Sequence, residues 1–295
     1  MEDVLRYMPR NIYEALKEYT NTSGINEIRL RTGNNIILKF SGSEIVTRYL
    51  VSKEDILNIL LSVSKNSIYS IQNDINNGFL TIKGGHRVGV TGEVVLEDGK
   101  IKNIKNISSM NIRIARQIKG AANKLIQHVV SANNISNTLI VSPPGCGKTT
   151  MLRDLVRQIS NMGKNISLID ERGELASAHD SKAMLDIGVR TDVMSFCPKH
   201  IGIMLVTRSM GPDVIATDEI GSALDIEAIK NATLTGVNLL LTAHGRNLND
   251  LKKNKEMMEI ITAGYFDVIV FLSNRNGAGT IEKIMKGKGD FSVCS

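Results

Sequence analysis

The segment Ser142-Pro-Pro-Gly-Cys-Gly-Lys-Thr-Thr150 carries the residue types that hold a chain of phosphates. A phosphate-binding loop reads Gly-x4-Gly-Lys-[Ser/Thr]; Gly147, Lys148 and Thr149 match it, and Ser142 stands where the first glycine is usual. Gly145 and Gly147 have no side chain to keep backbone N–H groups from turning onto an anion. Lys148 suits the β- and γ-phosphates, and the Thr149 hydroxyl suits a position on Mg²⁺. The expected cradle is therefore Pro144, Gly145, Cys146, Gly147, Lys148, Thr149 and Thr150, with ATP as the ligand and Mg²⁺ as its companion.

Binding a nucleotide is not yet hydrolysing it. Hydrolysis needs an acid to hold the metal's surroundings and one to orient or deprotonate water. Pro212-Asp-Val-Ile-Ala-Thr-Asp-Glu-Ile-Gly221 is an apolar run ending in two such acids, Asp218 and Glu219. Asp218 joins Thr149 as an expected metal ligand, and the residues alone leave open which acid activates water. Leu239-Leu-Leu-Thr-Ala-His-Gly245 sets His244 after another apolar run, as a γ-phosphate sensor or as an ordinary loop histidine. Asp170-Glu171-Arg172 ends a third run, either beside the nucleotide or as a surface ion pair.

These clusters need strands to bring them together. Thr138–Val141, Ile166–Ile169, Val214–Thr217, Asn238–Thr242 and Phe266–Leu272 read as strands, with helices over 148–160 and 223–232. Strands alternating with helices give a parallel sheet covered on both faces, with ligands at the strands' carboxyl ends. Upstream, Val4, Leu5, Met8, Ile12 and Leu16 have helical spacing that Pro9 interrupts. Ser52 and Asp55 form a capping-box pattern before Ile56, Leu57, Leu60 and Leu61. Short strands are expected over 27–31, 36–40, 79–82, 88–91, 94–96, 101–107 and 112–114, with Gly92 read as punctuation. The expected division is an α+β domain over 1–118 followed by an α/β P-loop domain over 119–295.

Composition narrows the partners. A 42% hydrophobic and 22% charged chain of 295 residues can build a packed core. No apolar run reaches the 18 residues of a transmembrane helix, and the first residues lack a signal peptide's apolar stretch. The three cysteines (Cys146, Cys197, Cys294) have no metal-ligand spacing, which points to a reducing cytoplasm. The net charge of +6 falls wholly before residue 137, where 18 Lys+Arg face 12 Asp+Glu; the remaining 36 − 18 = 18 bases and 30 − 12 = 18 acids balance. No acid occurs between Gly99 and Asp154, a stretch holding Lys100, Lys102 and Lys105. That stretch suits nucleotide phosphate, nucleic acid, acidic lipid or plain solvent. It contains no Phe or Tyr, so it offers no stacking platform for single-stranded nucleic acid. A nucleic-acid-binding NTPase is the alternative reading, and nucleic acid is not the expected partner.

In order, SPPGCGKTTMLRDL, LIDERGELA, GPDVIATDEIG and LLLTAHG resemble the stage III sporulation AA group within the type II/IV secretion ATPases. EIRLR, GGHRVGVTGEV and NIRIAR extend the resemblance over nearly the whole chain. It implies a RecA-like ATPase domain with a mainly parallel sheet, preceded by a smaller α+β domain and assembled as a hexameric ring. It carries an Asp box onto Asp170 and Glu171, a Walker B glutamate onto Glu219, and a His box onto His244. Asp218 departs from the glycine usual in pilus motors. Arg87, Arg113 and Arg116 fall in segments whose arginines reach nucleotide in the same or a neighbouring subunit. The resemblance also implies a cytoplasmic ATP hydrolase in the mother cell. Docked on integral-membrane sporulation proteins, it would power or gate a channel to the forespore.

Overall fold

The computed structural model describes residues 2–293 apart from 21, 23, 41, 66, 68–70, 77, 116, 133 and 179–181. The chain divides into two compact units, Met1–Arg116 with His179–Met184, and Gln117–Ala178 with Leu185–Ser295.

The first unit runs α1 (Glu2–Leu5), α2 (Arg10–Leu16), β1 (Glu27–Arg31), β2 (Asn35–Lys39), β3 (Glu44–Leu50), α3 (Lys53–Val63), α4 (Gln72–Asn76), β4 (Phe79–Ile82), β5 (His86–Glu97) and β6 (Lys100–Arg113). Pro9 caps α2 in an extended conformation, which separates the two short helices as the sequence suggested. The Ser52 hydroxyl accepts from the Asp55 amide at 3.0 Å and the Asp55 carboxylate from the Ser52 amide at 2.8 Å, the expected box opening α3. The sheet runs β3-β2-β1-β6-β5-β4, antiparallel throughout. Alternation puts Ile28, Leu30, Ile36 and Leu38 in one core with Ile12, Leu16 and Ile59.

One expectation fails here. The four short strands read between residues 88 and 114 are two long ones, β5 and β6. Gly92 is no turn; the register shifts there, between Thr91 and Glu93. A Cβ on Gly92 would stand 2.6 Å from the Lys105 carbonyl oxygen, so glycine permits a bulge where the partner strand crowds in. Folding residues 86–113 as one hairpin also gives two of the three lysines acidic neighbours. Lys102 pairs with Glu97 at 2.6 Å and Lys105 approaches Glu93 at 3.9 Å, so cross-strand acids meet these bases.

The second unit runs α5 (Asn123–Val129), β7 (Val130–Ser131), β8 (Asn134–Ile135), β9 (Thr138–Ser142), α6 (Lys148–Asn161), β10 (Ile166–Asp170), β11 (Thr191–Ser195), α7 (Lys199–Ser209), β12 (Val214–Thr217), α8 (Ala223–Thr233), β13 (Asn238–His244), α9 (Leu248–Leu251), α10 (Lys255–Thr262), β14 (Val268–Ser273), β15 (Thr280–Lys286) and β16 (Ser292–Val293). Its sheet order is β11-β10-β12-β13-β9-β14-β15-β16, parallel from β11 to β14. The mainly parallel α/β sheet matches expectation, but β14 does not close it. β15 and β16 add an antiparallel edge, and β11 and α7 were also unread. Only Ile284 and Met285 of β15 are buried, which left no apolar run to read.

Two cores sandwich the sheet. Ile140, Leu168, Ala216 and Leu240 face Leu125, Leu152 and Leu155. Their sequence neighbours Leu139, Ile169, Ile215 and Leu241 face Ile203, Ile226, Ile229 and Ile260. β13 lies between β9 and β12, with His244 opposite Ser142 and Leu241 opposite Thr217. Every polar strand end named above therefore emerges at the same edge of one sheet.

Candidate active site

After β9 the chain turns through Gly145 (φ 75°) and Gly147 (φ 86°), left-handed values that favour glycine. Gly147 also has no room for a side chain, since a Cβ would lie 2.9 Å from the Gly279 nitrogen. The Gly279 amide in turn donates to the Cys146 carbonyl at 2.9 Å, tying the loop to the β14–β15 turn. Cys146 itself is buried, a small packing residue of the loop. Gly147 is the N-cap of α6 and has no side chain to cap with. The first-turn amides of Lys148, Thr149 and Thr150 thus point out of the positive end of a 14-residue helix.

Lys148 is buried, and its Nζ donates to the carbonyls of Ser142 (3.1 Å) and Pro143 (3.4 Å). Burial lowers its pKa from the ordinary lysine value, while Asp218 and Glu219 oppose that shift. A phosphate at this loop would supply the missing counter-charge.

Across from α6, β12 delivers Asp218. The Thr149 hydroxyl donates to Asp218 Oδ2 at 2.6 Å, and the Thr242 hydroxyl donates to Oδ1. Thr242 then accepts the Glu219 amide at 2.9 Å, so one hydroxyl of the middle strand positions both acids. Glu219 has φ 55°, a strained value outside glycine. Its Oε1 lies 3.0 Å from His244 Nε2 and its Oε2 2.6 Å from Arg172 Nη1. His244 Nδ1 lies 3.3 Å from Lys148 Nζ. Lys148, Thr149, Asp218, Glu219 and His244 are thus brought together.

The third strand end behaves differently. Asp170 is buried, and its carboxylate accepts from the amides of Glu174 (2.8 Å), Leu175 (3.1 Å) and Ala176 (2.8 Å). Arg153 of α6 holds the same loop by its carbonyls, donating to Leu175 at 2.7 Å and Glu174 at 2.6 Å. Asp170 is thus fully engaged in shaping a loop. Glu171 pairs with Lys199 at the start of α7. In the other unit, the Arg87 guanidinium lies 3.5 Å from the centre of the Phe79 ring, and Arg113 Nε lies 3.5 Å from Glu27. Arg116 is outside the described residues.

Arg153 and Lys199 escaped the sequence reading as site residues, and Thr242 entered it only as a polar residue after an apolar strand. Thr242 had a signal, a lone hydroxyl inside an apolar run; Arg153 and Lys199 had none, because their partners are far along the chain.

Mg²⁺ is the metal expected from the phosphate-loop sequence. The Thr149 hydroxyl and Asp218 carboxylate are hard oxygen donors already 2.6 Å apart, which fits a cation that completes its shell with phosphate and water. Among the described residues no trio of His, Cys, Asp or Glu forms a protein-only metal cage.

Over residues 1–292 the sequence matches the family described as "Sporulation stage III, protein AA". The chain belongs to the stage III sporulation protein AA family. A Bacillus subtilis (strain 168) protein of that name is 36% identical over 297 residues, covering 98% of this chain and 96% of its own. Among solved structures, the ATPase DotB of Yersinia pseudotuberculosis superposes with a TM-score of 0.63 at 14% identity, over 96% of this chain and 80% of DotB. The pilus retraction motor PilT with bound ADP gives 0.57 at 15% identity, over 88% and 76%. At such identities the likeness is one of fold, an α/β protein of the RecA-like kind.

Proposed function

We propose that this family member is a Mg²⁺-dependent ATP hydrolase of the secretion-motor kind. The observation that carries this is the Asp218 carboxylate shared between the Thr149 and Thr242 hydroxyls, directly beside a P-loop lysine. An acid held there has a use once nucleotide arrives. Gly145, Cys146, Gly147, Lys148, Thr149 and Thr150 receive the phosphates, with Pro144 shaping the turn into them. Lys148 exchanges its two carbonyl partners for β- and γ-phosphate oxygens. Thr149 and Asp218 hold Mg²⁺, which when bound neutralises charge on those oxygens. Glu219 takes a proton from the attacking water as its oxygen bonds to the γ-phosphorus and the bond to the β-phosphate breaks. Asp218 is committed to Thr149 and the metal, which leaves Glu219 for the water. His244, within reach of Glu219 and Lys148, registers whether the γ-phosphate is present. Glu171 tunes the neighbouring loop through Lys199.

The solved structures of like fold, an ATPase and a pilus retraction motor, support extending this to a motor. The working form we propose is a hexameric ring in which Arg87, Arg113 or Arg116 reaches nucleotide across a subunit boundary. No helix among the described residues is long and apolar enough to cross a membrane. The partners we propose are integral-membrane channel proteins of sporulation, approached from the mother-cell cytoplasm. Light scattering with and without ATP and Mg²⁺, with hydrolysis measured on each species, tests the ring. A ring-dependent rate is expected, and a strictly monomeric, fully active protein would remove the trans arginine.

A further inference from the structure

Arg172 has no part in the scheme above, yet it makes the shortest ion-pair contact to Glu219, 2.6 Å from Nη1 to Oε2. Its loop is fixed on both sides. Before it, Glu171 pairs with Lys199, whose side chain is 10% exposed. After it, Asp170 holds the amides of Glu174, Leu175 and Ala176, and the Phe196 amide returns to the Asp170 carbonyl at 3.0 Å. Gly173 between them has φ 68° and packs on the Phe196 ring, with a Cβ position 3.0 Å from Cε1. From this pinned loop Arg172 projects with its side chain 62% exposed, and its guanidinium returns to a carboxylate only 21% exposed.

We propose, resting on the hydrolytic reading of the site, that Arg172 is a positioning residue that fixes the Glu219 carboxylate for the attacking water. Glu219 sits at φ 55°, a conformation that lasts only where its surroundings over-determine it. Three contacts do so: its amide on Thr242, one oxygen at His244 and the other at Arg172. An ordinary surface ion pair adds little because two mobile side chains must be ordered to make it. Here both backbones are already held, so the pair spends its directionality on the acid's orientation. Each carboxylate oxygen has a second lone-pair direction, so Glu219 can still accept from water.

The test compares Arg172→Ala, Arg172→Lys and wild type in steady-state ATP hydrolysis. Thermal melts accompany the rates, and Lys148→Ala serves as the inactive control. Loss of positioning is expected to lower kcat about 10–100-fold in Arg172→Ala. KM should stay within about threefold, the melt should be unchanged, and Arg172→Lys should recover part of the loss. The double variant Arg172→Ala with Glu219→Gln should be no slower than Glu219→Gln alone, because the arginine acts through that acid. Wild-type kcat in Arg172→Ala would overturn the proposal, as would a raised KM at full kcat, a raised kcat, or multiplicative losses in the double variant. A wild-type protein that does not hydrolyse ATP would overturn the reading beneath it; an active wild type with an unaffected Arg172→Ala overturns this proposal alone.

Discussion

Replacing Asp170 by alanine separates a loop-building acid from a nucleotide-handling one. The structure puts its carboxylate under three amides, of which those of Leu175 and Ala176 are buried. Each buried donor left without a partner costs about 1–3 kcal/mol. Arg153, itself buried and held at its usual charge partly by Asp170, loses a counter-charge as well. Together these give a loss of roughly 3–6 kcal/mol, the two amides supplying most of it. At about 2–4 °C per kcal/mol for a unit of this size, the melting temperature should fall by roughly 6–24 °C. Scanning calorimetry of the variant beside wild type, without nucleotide, reads this directly. Hydrolysis should fall in step with the folded fraction. A variant that melts with wild type yet loses hydrolysis would refute the reasoning, because Asp170 would then act on the nucleotide.

Three further outcomes follow from other contacts. His86 is buried, accepts the Ala115 amide at 3.0 Å, and burial pulls its pKa from 6.5 down to about 4. A depressed histidine stabilises the fold above pH 6.5 and loses that contribution as pH falls toward 4. The full drop is worth about 3 kcal/mol at 1.36 kcal/mol per pH unit, visible in urea midpoints against pH and flattened in His86→Gln. Gly147→Ala should abolish ATP binding by calorimetric titration, since the residue sits at φ 86° with the Gly279 nitrogen 2.9 Å from a Cβ; unchanged affinity would contradict the loop geometry. Lys102→Gln with Lys105→Gln should change binding to DNA or to anionic vesicles less than threefold, because Glu97 and Glu93 already face these bases. A steep salt-dependent loss would restore the nucleic-acid or lipid reading.

Much of this was legible because its determinants are local. SPPGCGKTT carries its turn, amides, lysine and hydroxyl within nine residues, and the Pro9 break and Ser52–Asp55 cap need only neighbours. The pair Asp218-Glu219 was legible as chemistry, but its division of labour was not. That depends on Thr242 standing beside both acids, which follows from β13 lying between β9 and β12. Asp170 shows its charge in the sequence, but its three amide partners are not legible there. The acid-free stretch hid its pairing for the same reason: Glu93 and Glu97 precede it in sequence but lie across a hairpin from Lys105 and Lys102. Gly92 invited a break because a bulge and a turn both call for glycine.

The central claim is that Lys148, Thr149 and Asp218 hold ATP for hydrolysis in the presence of Mg²⁺. Phosphate release from ATP by the assembled wild-type protein, with Mg²⁺ and with the metal chelated, set beside Lys148→Ala, tests it most directly. The account predicts turnover only in the wild type with metal. Equal release by Lys148→Ala, or turnover that survives chelation, would contradict it.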